Sequence, residues 1–201
     1  MKINNTNIKQ LIAEQCSNGV ESKELGEILD YEQPGKYIVN STRYSDDFTT
    51  PVLTAGKGFL LGYTDETEGV YKAQKENEVI IYDDFTTSFH WVDFNFKVKS
   101  SAMKMLRPKK DVNMIFKFIY YEMKSINYTP QDHSRHWISQ YSKFKIPFPP
   151  LLVQKEIVAI LDKFTDLEKE LEKELEKEIK AKKKQYEYYR NKLLTFKEYV
   201  G

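Results

Sequence analysis

Ile146-Pro-Phe-Pro-Pro-Leu151 is where the chain changes character. Three prolines within four residues remove three backbone donors, which interrupts regular structure and marks a boundary between two kinds of chain. From Val153 to about Glu198 there is no Pro or Gly, and Glu, Lys and Leu dominate, so the segment predicts one long helix. Its apolar residues run Ile157, Ile160, Phe164, Leu167, Leu171, then Leu175 and Ile179 through a local phase shift, then Tyr186, Tyr189, Leu193 and Phe196. Spacings of three and four describe a coiled-coil seam. A helix of roughly 45 residues is about 70 Å long, more than a compact domain needs, so its apolar stripe calls for another long helix to cover it. The run Glu168 to Glu178 places Glu and Lys for i,i+4 pairs, which reads as a solvated face.

The first 146 residues are different in kind, with Tyr, Phe, Thr, Val and Ile spaced among Gly, Asn and Asp turn signals. A short helix is expected at about Thr6–Cys16, closed by Ser17-Asn18-Gly19. Strands are expected at about Tyr37–Asn40, Val52–Thr54, Phe59–Tyr63, Val79–Ile81, His90–Phe94 and Lys97–Val98, with turns at Gly56-Lys57-Gly58 and Asp83-Asp84. A helix from about Val112 to Ser125 would pack Val112, Ile115, Phe116, Ile119 and Tyr120 on one face. The expected fold class is α+β: a short N-terminal helix over 1–18, a mixed, mostly antiparallel domain over 19–147, and the long coiled-coil helix over 148–201.

Composition narrows the function. The 201 residues are 40% hydrophobic and 14% aromatic, enough for a packed core. Cys16 stands alone, which excludes an internal disulfide, and no secretory signal or membrane-length apolar run is visible, so the chain reads as cytoplasmic. With 31 Lys plus Arg against 30 Asp plus Glu, a polyanionic partner must be argued from where charges sit. Catalytic motifs are missing. Phe148-Pro-Pro-Leu151 lacks the polar residue of a base-amino methyltransferase cluster, there is no phosphate-binding Gly-x4-Gly-Lys loop, and His90, His133 and His136 have no metal-like spacing. Asp83 and Asp84 lack a nuclease partner and read as a turn.

Three stretches have the side chains a nucleic-acid reader needs. Lys97 to Lys110 carries six basic residues and no acid, which suits a phosphate-facing patch or an exposed linker. Thr129 to Tyr141 holds Gln131, Arg135 and Gln140, types that pair with adenine and guanine edges, although Trp137 suits the core. Tyr82 to Trp91 offers Thr86, Thr87, Ser88 and His90 beside the core-type aromatics Phe85, Phe89 and Trp91.

Ile146-Pro-Phe-Pro-Pro-Leu-Leu-Val-Gln-Lys-Glu-Ile157 leads into a charged coiled-coil helix, which closes on Tyr189-Arg-Asn-Lys-Leu-Leu-Thr-Phe196; the whole resembles the DNA specificity subunits of type I restriction-modification systems. Thr54 to Tyr63 and Val79 to Phe89 are similar to segments of that family's target-recognition domains, and Asn18 to Gly26 to their entrance. The resemblance implies a non-enzymatic subunit whose globular domain reads half of a split site in double-stranded DNA. The helices separate two such domains and dock a methyltransferase (modification) subunit, with a restriction subunit also in the assembly. It implies no metal and no cofactor in this chain, S-adenosylmethionine belonging to the partner methyltransferase. Full-length members carry two recognition domains and this chain has one, which implies a homodimer through the long helix, or pairing with a different half-subunit. The seam residues that would form this interface are Ile157, Ile160, Phe164, Leu167, Leu171, Leu175, Ile179, Tyr186, Tyr189 and Leu193. Side-chain type and position nominate Lys57, Thr86, Thr87, Ser88, His90, Arg135, His136 and Gln140 as base contacts, and Lys99, Lys104 and Lys109 as phosphate contacts. The rival from another class is a coiled-coil interaction module that binds protein and no DNA; a nuclease is the third reading.

Overall fold

The computed structural model describes residues 5–56 and 58–196, without the side chains of 5–7. In chain order the elements are α1 (Asn5–Gln15), β1 (Glu21–Glu24), α2 (Leu25–Ile28), β2 (Leu29–Glu32), β3 (Thr50–Leu53), β4 (Leu60–Thr64), β5 (Val79–Asp83), β6 (Phe89–Val92), β7 (Lys97–Val98), β8 (Met103–Pro108), α3 (Phe116–Ser125), α4 (His136–Ser139), β9 (Lys145–Phe148) and α5 (Leu151–Leu193). After α1 the chain turns at Gly19, whose φ of +84° is the left-handed conformation that the Ser17-Asn18-Gly19 signal anticipates.

The framework is an antiparallel sheet of order β2-β8-β5-β6, with β5 and β8 at its centre. Their side chains alternate between two faces. Val79, Ile81, Met103 and Met105 are wholly buried in one cluster with Leu53 and Val98 of a second sheet, order β4-β3-β7, and with Tyr71 and Phe96 from the loops. On the opposite face Tyr82 packs its ring against Trp137 (5.2 Å) and Tyr141 (5.1 Å), placing α4 and the chain after it on the sheet. Pairing is antiparallel except between β3 and β7, and a two-stranded sheet joins β1 to β9.

Several expectations are corrected. Tyr37–Asn40 is no strand: a 3-10 turn covers Gly35–Tyr37 and only Ile38 bridges to Val98. The helix expected from Val112 begins at Phe116, because Ile115 is extended and donates its N–H to Oε1 of Gln154 at 2.9 Å. Gln154 is fully buried and its Nε2 donates to the Pro149 carbonyl at 2.8 Å, so one side chain ties the proline segment to the start of α3. The proline segment is itself partly strand, Pro147 standing opposite Ser22 in the two-stranded sheet, where the missing N–H is tolerated. The stretch Lys97 to Lys110 is no linker: Met103–Pro108 is a central strand.

Among the described residues the globular unit extends from α1 to Lys155 and holds the first turn of α5. The second unit contains α5 from Glu156 onward. At 43 residues α5 is about 65 Å long. Among the described residues no helix is long and apolar enough to cross a membrane.

Candidate nucleic-acid interface

The turn between β5 and β6 is built by Asp83. Its Oδ1 accepts the N–H groups of Phe85 (2.9 Å) and Thr86 (2.8 Å), and its carbonyl accepts that of Thr87 (2.9 Å). Thr87 sits at φ +57°, the sole non-glycine with positive φ among the described residues. For a β-branched residue this conformation costs on the order of 1–3 kcal/mol, so the surrounding hydrogen bonds over-determine the turn. Its exposed flank carries the Thr86 hydroxyl, which donates to Ser88 Oγ at 3.1 Å.

The adjacent Asp84 does something else. Its carboxylate is 1% exposed, and Oδ1 accepts the Trp137 N–H at 2.8 Å while Oδ2 lies 3.0 Å from Lys104 Nζ and 3.4 Å from Arg135 Nη1. The Asp84 carbonyl accepts the His136 N–H at 2.8 Å. Asp83 ends β5 and shapes the turn, while Asp84, the first residue beyond the strand, reaches inward. The loop before α4 is thereby clamped to the β5–β6 tip, and aromatic contacts complete the join: Phe85 stacks on His133 at 5.1 Å, and the Arg135 guanidinium lies 5.6 Å from the Phe85 ring centre. Beside the tip is a hollow of about 370 Å³ lined by Thr86, Ser88, Phe89, Tyr120, Lys124 and Tyr128, among others. Burial pushes the phenols of Tyr141, which also lines the hollow, and of its ring neighbour Tyr82 far above their ordinary range, so both stay uncharged.

Two of the three stretches singled out in the sequence therefore meet. Thr86, Arg135 and Gln140 are exposed and Ser88 is half-buried. Thr87 is 8% exposed and lines the hollow. His136 is corrected as a base contact: it is 3% exposed, with Nδ1 2.9 Å from the Tyr128 hydroxyl and Nε2 3.3 Å from the Asp132 carbonyl. His90 faces elsewhere, its Nε2 3.1 Å from the Gly56 carbonyl and its ring against Phe59. Lys57 lies outside the described residues.

The third stretch is dispersed. Lys99 is exposed. Lys109 donates to the Gly26 carbonyl at 2.6 Å. Lys104, at 1% exposure, is the counter-ion of Asp84 and is corrected as a phosphate contact, since a strand buried on both faces turns alternate residues inward whatever their charge. Lys97 is likewise inside, 3.0 Å from Glu66 Oε2 and donating to the Glu68 carbonyl at 2.7 Å. Asp84 itself was missed by sequence reasoning, and the available signal was the acidic pair Asp83-Asp84 directly after an apolar run, where one carboxylate serves the turn and the other turns inward.

On the helix, Ile157 and Ile160 are half-buried, and Phe164, Leu167, Leu171, Leu175, Ile179, Tyr186, Tyr189 and Leu193 are exposed, from 46% at Ile179 to 69% at Leu193. Leu175, Ile179 and Tyr186 line a shallow groove with Glu178, Lys182 and Lys183. Among the described residues no group of three His, Cys, Asp or Glu could hold a metal ion.

The family model described as "Type I restriction modification DNA specificity domain" matches residues 17–181. The specificity subunit of the type I restriction enzyme EcoR124I/EcoR124II of Escherichia coli is 52% identical over 196 residues, covering 92% of this chain and 47% of that one. A putative type I restriction enzyme specificity subunit of Haemophilus influenzae, S.HindORF215P, is 32% identical, covering 98% of this chain and 51% of its own length. The chain thus spans about half the length of these relatives. Among solved structures, the S subunit of a type I restriction-modification system from M. genitalium superposes with a TM-score of 0.55 over 83% of this chain and 41% of its own, at 16% identity. A chain from a study of assembly and conformational transition of the type I R-M system gives the same TM-score and identity over 90% and 48%. These two likenesses concern the fold, mixed α and β with a long helix, as expected from the sequence.

Proposed function

Because this chain belongs to the type I restriction modification DNA specificity family, we propose that it reads one half of a bipartite site in double-stranded DNA and scaffolds the subunits that act there. The observation that carries this reading is the clamp at Asp84. It joins two polar segments far apart in sequence, so that Thr86, Ser88 and Arg135 belong to one rigid element. Rigid presentation suits base-edge reading, because an ordered donor fork forfeits less freedom on binding. Lys99 and Lys109 then serve the sugar-phosphate backbone, with Gln140 beside Arg135's loop as a further base contact.

Scaffolding rests on the seam. Ile160, Phe164 and Leu167 are spaced by four and three residues, and Tyr186, Tyr189 and Leu193 by three and four. Read from opposite ends the pattern is the same. Two copies aligned antiparallel about the midpoint between Glu176 and Lys177 bring Ile160 opposite Leu193, Phe164 opposite Tyr189, and Leu167 opposite Tyr186. A two-fold pairing of this kind covers the two ends of the stripe, its middle residues Leu171, Leu175 and Ile179 coming opposite Lys182, Glu178 and Glu174, and duplicates the recognition domain, so the site read is a split palindrome. Methyl transfer from S-adenosylmethionine and cleavage belong to the modification and restriction subunits, and the work takes place in the cytoplasm, where this chain contributes recognition and no catalysis.

The test is selection of randomised duplexes on the purified chain, followed by a salt titration on the winner. Two half-motifs at fixed separation, with log affinity falling linearly in log salt, are expected. A chain that forms its helical dimer but enriches no sequence and shows no salt dependence is a protein-interaction module, the reading that the exposed seam alone would support.

A further inference from the structure

We propose that Asp84 is a positioning residue for sequence reading: its buried carboxylate, neutralised by Lys104, orients the Arg135 guanidinium at the tip of the recognition element. The inference rests on the DNA-reading proposal above and adds which residue sets the direction of the fork and why a lysine is buried beneath it.

An arginine on an open loop samples many rotamers, and its five donors have no preferred direction. Arg135 differs in three respects. Its backbone is fixed on both sides of Asp84, since the next residues, His136 and Trp137, give their N–H groups to the Asp84 carbonyl and Oδ1. Its Nη1 lies 3.4 Å from Asp84 Oδ2, so one corner of the guanidinium is tethered. One face of the group lies near the Phe85 ring, which is itself stacked on His133. The side chain is still 51% exposed, and no other hydrogen bond to it occurs among the described residues, so the rest of the fork is available to an acceptor pair such as guanine O6 and N7.

Charge explains Lys104. A carboxylate at 1% exposure with Arg135 as its only cation would pull the guanidinium inward and cancel its charge. Lys104, fully enclosed 3.0 Å away and 4.5 Å from the centre of the Tyr31 ring, satisfies the carboxylate from the inside. One negative group then faces two positive ones, and the surplus charge is at the exposed end. The 3.4 Å separation to Arg135, longer than the 3.0 Å to Lys104, fits a tether that orients without capturing.

The experiment compares the full-length wild-type chain, R135A, D84N/K104M and the triple variant, each against a randomised duplex library, reading base preference position by position. D84N/K104M removes both buried charges together and keeps an amide oxygen for the Trp137 N–H. R135A is expected to lose roughly ten- to hundredfold preference at one base pair per half-site. D84N/K104M should lose preference at that same base pair and keep the others, and the triple variant should be no worse than R135A, as expected for residues acting as a unit. Undiminished preference in D84N/K104M, or an equal loss at every position, overturns the proposal. Should D84N/K104M fail to melt cooperatively, R135K decides: it leaves the buried pair intact, keeps the salt slope and is expected to lose the preference, and retention of that preference overturns the proposal. A wild-type chain that enriches no sequence refutes the DNA-reading proposal itself, an outcome distinct from all of these.

Discussion

In the globular unit two lysines are inside, and in the helical unit the leucines of the seam are outside. Lys97 and Lys104 are 2% and 1% exposed, while Leu171 and Leu193 are 66% and 69% exposed. Each inversion says where the missing partner is. A buried ammonium is tolerable only beside its own carboxylate, so Lys104 finds Asp84 and Lys97 finds Glu66 within the chain. An exposed leucine stripe at coiled-coil spacing has no such answer among the described residues, and the partner proposed for it is another helix. Charge is thus a packing device in one unit, and apolar surface is left uncovered in the other.

The largest effect is expected on the helix. Leu167→Glu with Tyr186→Glu should dissociate the proposed antiparallel dimer at a cost of roughly 3–6 kcal/mol, counting both copies of each lost contact. Sedimentation velocity would then report a monomer whose globular unit melts as before. Lys104→Ala should do the reverse, leaving the oligomer alone and destabilising the globular unit by about 3–5 kcal/mol in denaturant unfolding, because Asp84 keeps a buried charge without its main partner. Arg135→Ala should cost about 1–3 kcal/mol at one base pair with little effect on melting, measured by binding to single-position site variants. Lys99→Ala should weaken all duplexes alike and lower the salt slope by about 0.9 per half-site, about 1.8 for the proposed dimer. The smallest effect is on acid stability. Burial works to raise the Glu66 pKa, but the hydrogen bonds from Lys97 and from the Ser41 and Asn40 N–H groups outweigh it and hold the carboxyl below its ordinary value of 4.5. A folded-state value below the unfolded one means stability that is complete above 4.5 and is lost as pH falls through the folded value, so Glu66→Gln should flatten the acid limb of a stability profile.

The sequence announced what is periodic. The helix expected at Val153–Glu198 is found as Leu151–Leu193, and strands with alternating or continuous apolar residues, such as Val79–Asp83, fall within a residue or two of their expected places. It concealed what depends on distant partners. Glu21–Glu24 is all polar and becomes a strand only by pairing with Lys145–Phe148. Met-Lys-Met-Leu-Arg-Pro looks like a basic patch because one strand's lysine is paid for by an aspartate twenty residues upstream. At the candidate site the residue types were legible and the pairing was not: Thr86 and Arg135 were both nominated, yet only the fold joins them, through Asp84, while His136, on the same short segment, is turned into the interior.

In the function proposed above, this chain dictates where a partner enzyme methylates. The direct measurement is to combine it with the methyltransferase subunit of its own system, sequence the methylation pattern on random DNA, and repeat without this chain. The account predicts a split, palindromic motif that appears only when both proteins are present. Methylation that is the same with and without the chain, or an absence of methylation while the same enzyme is active with a full-length specificity subunit, would contradict it.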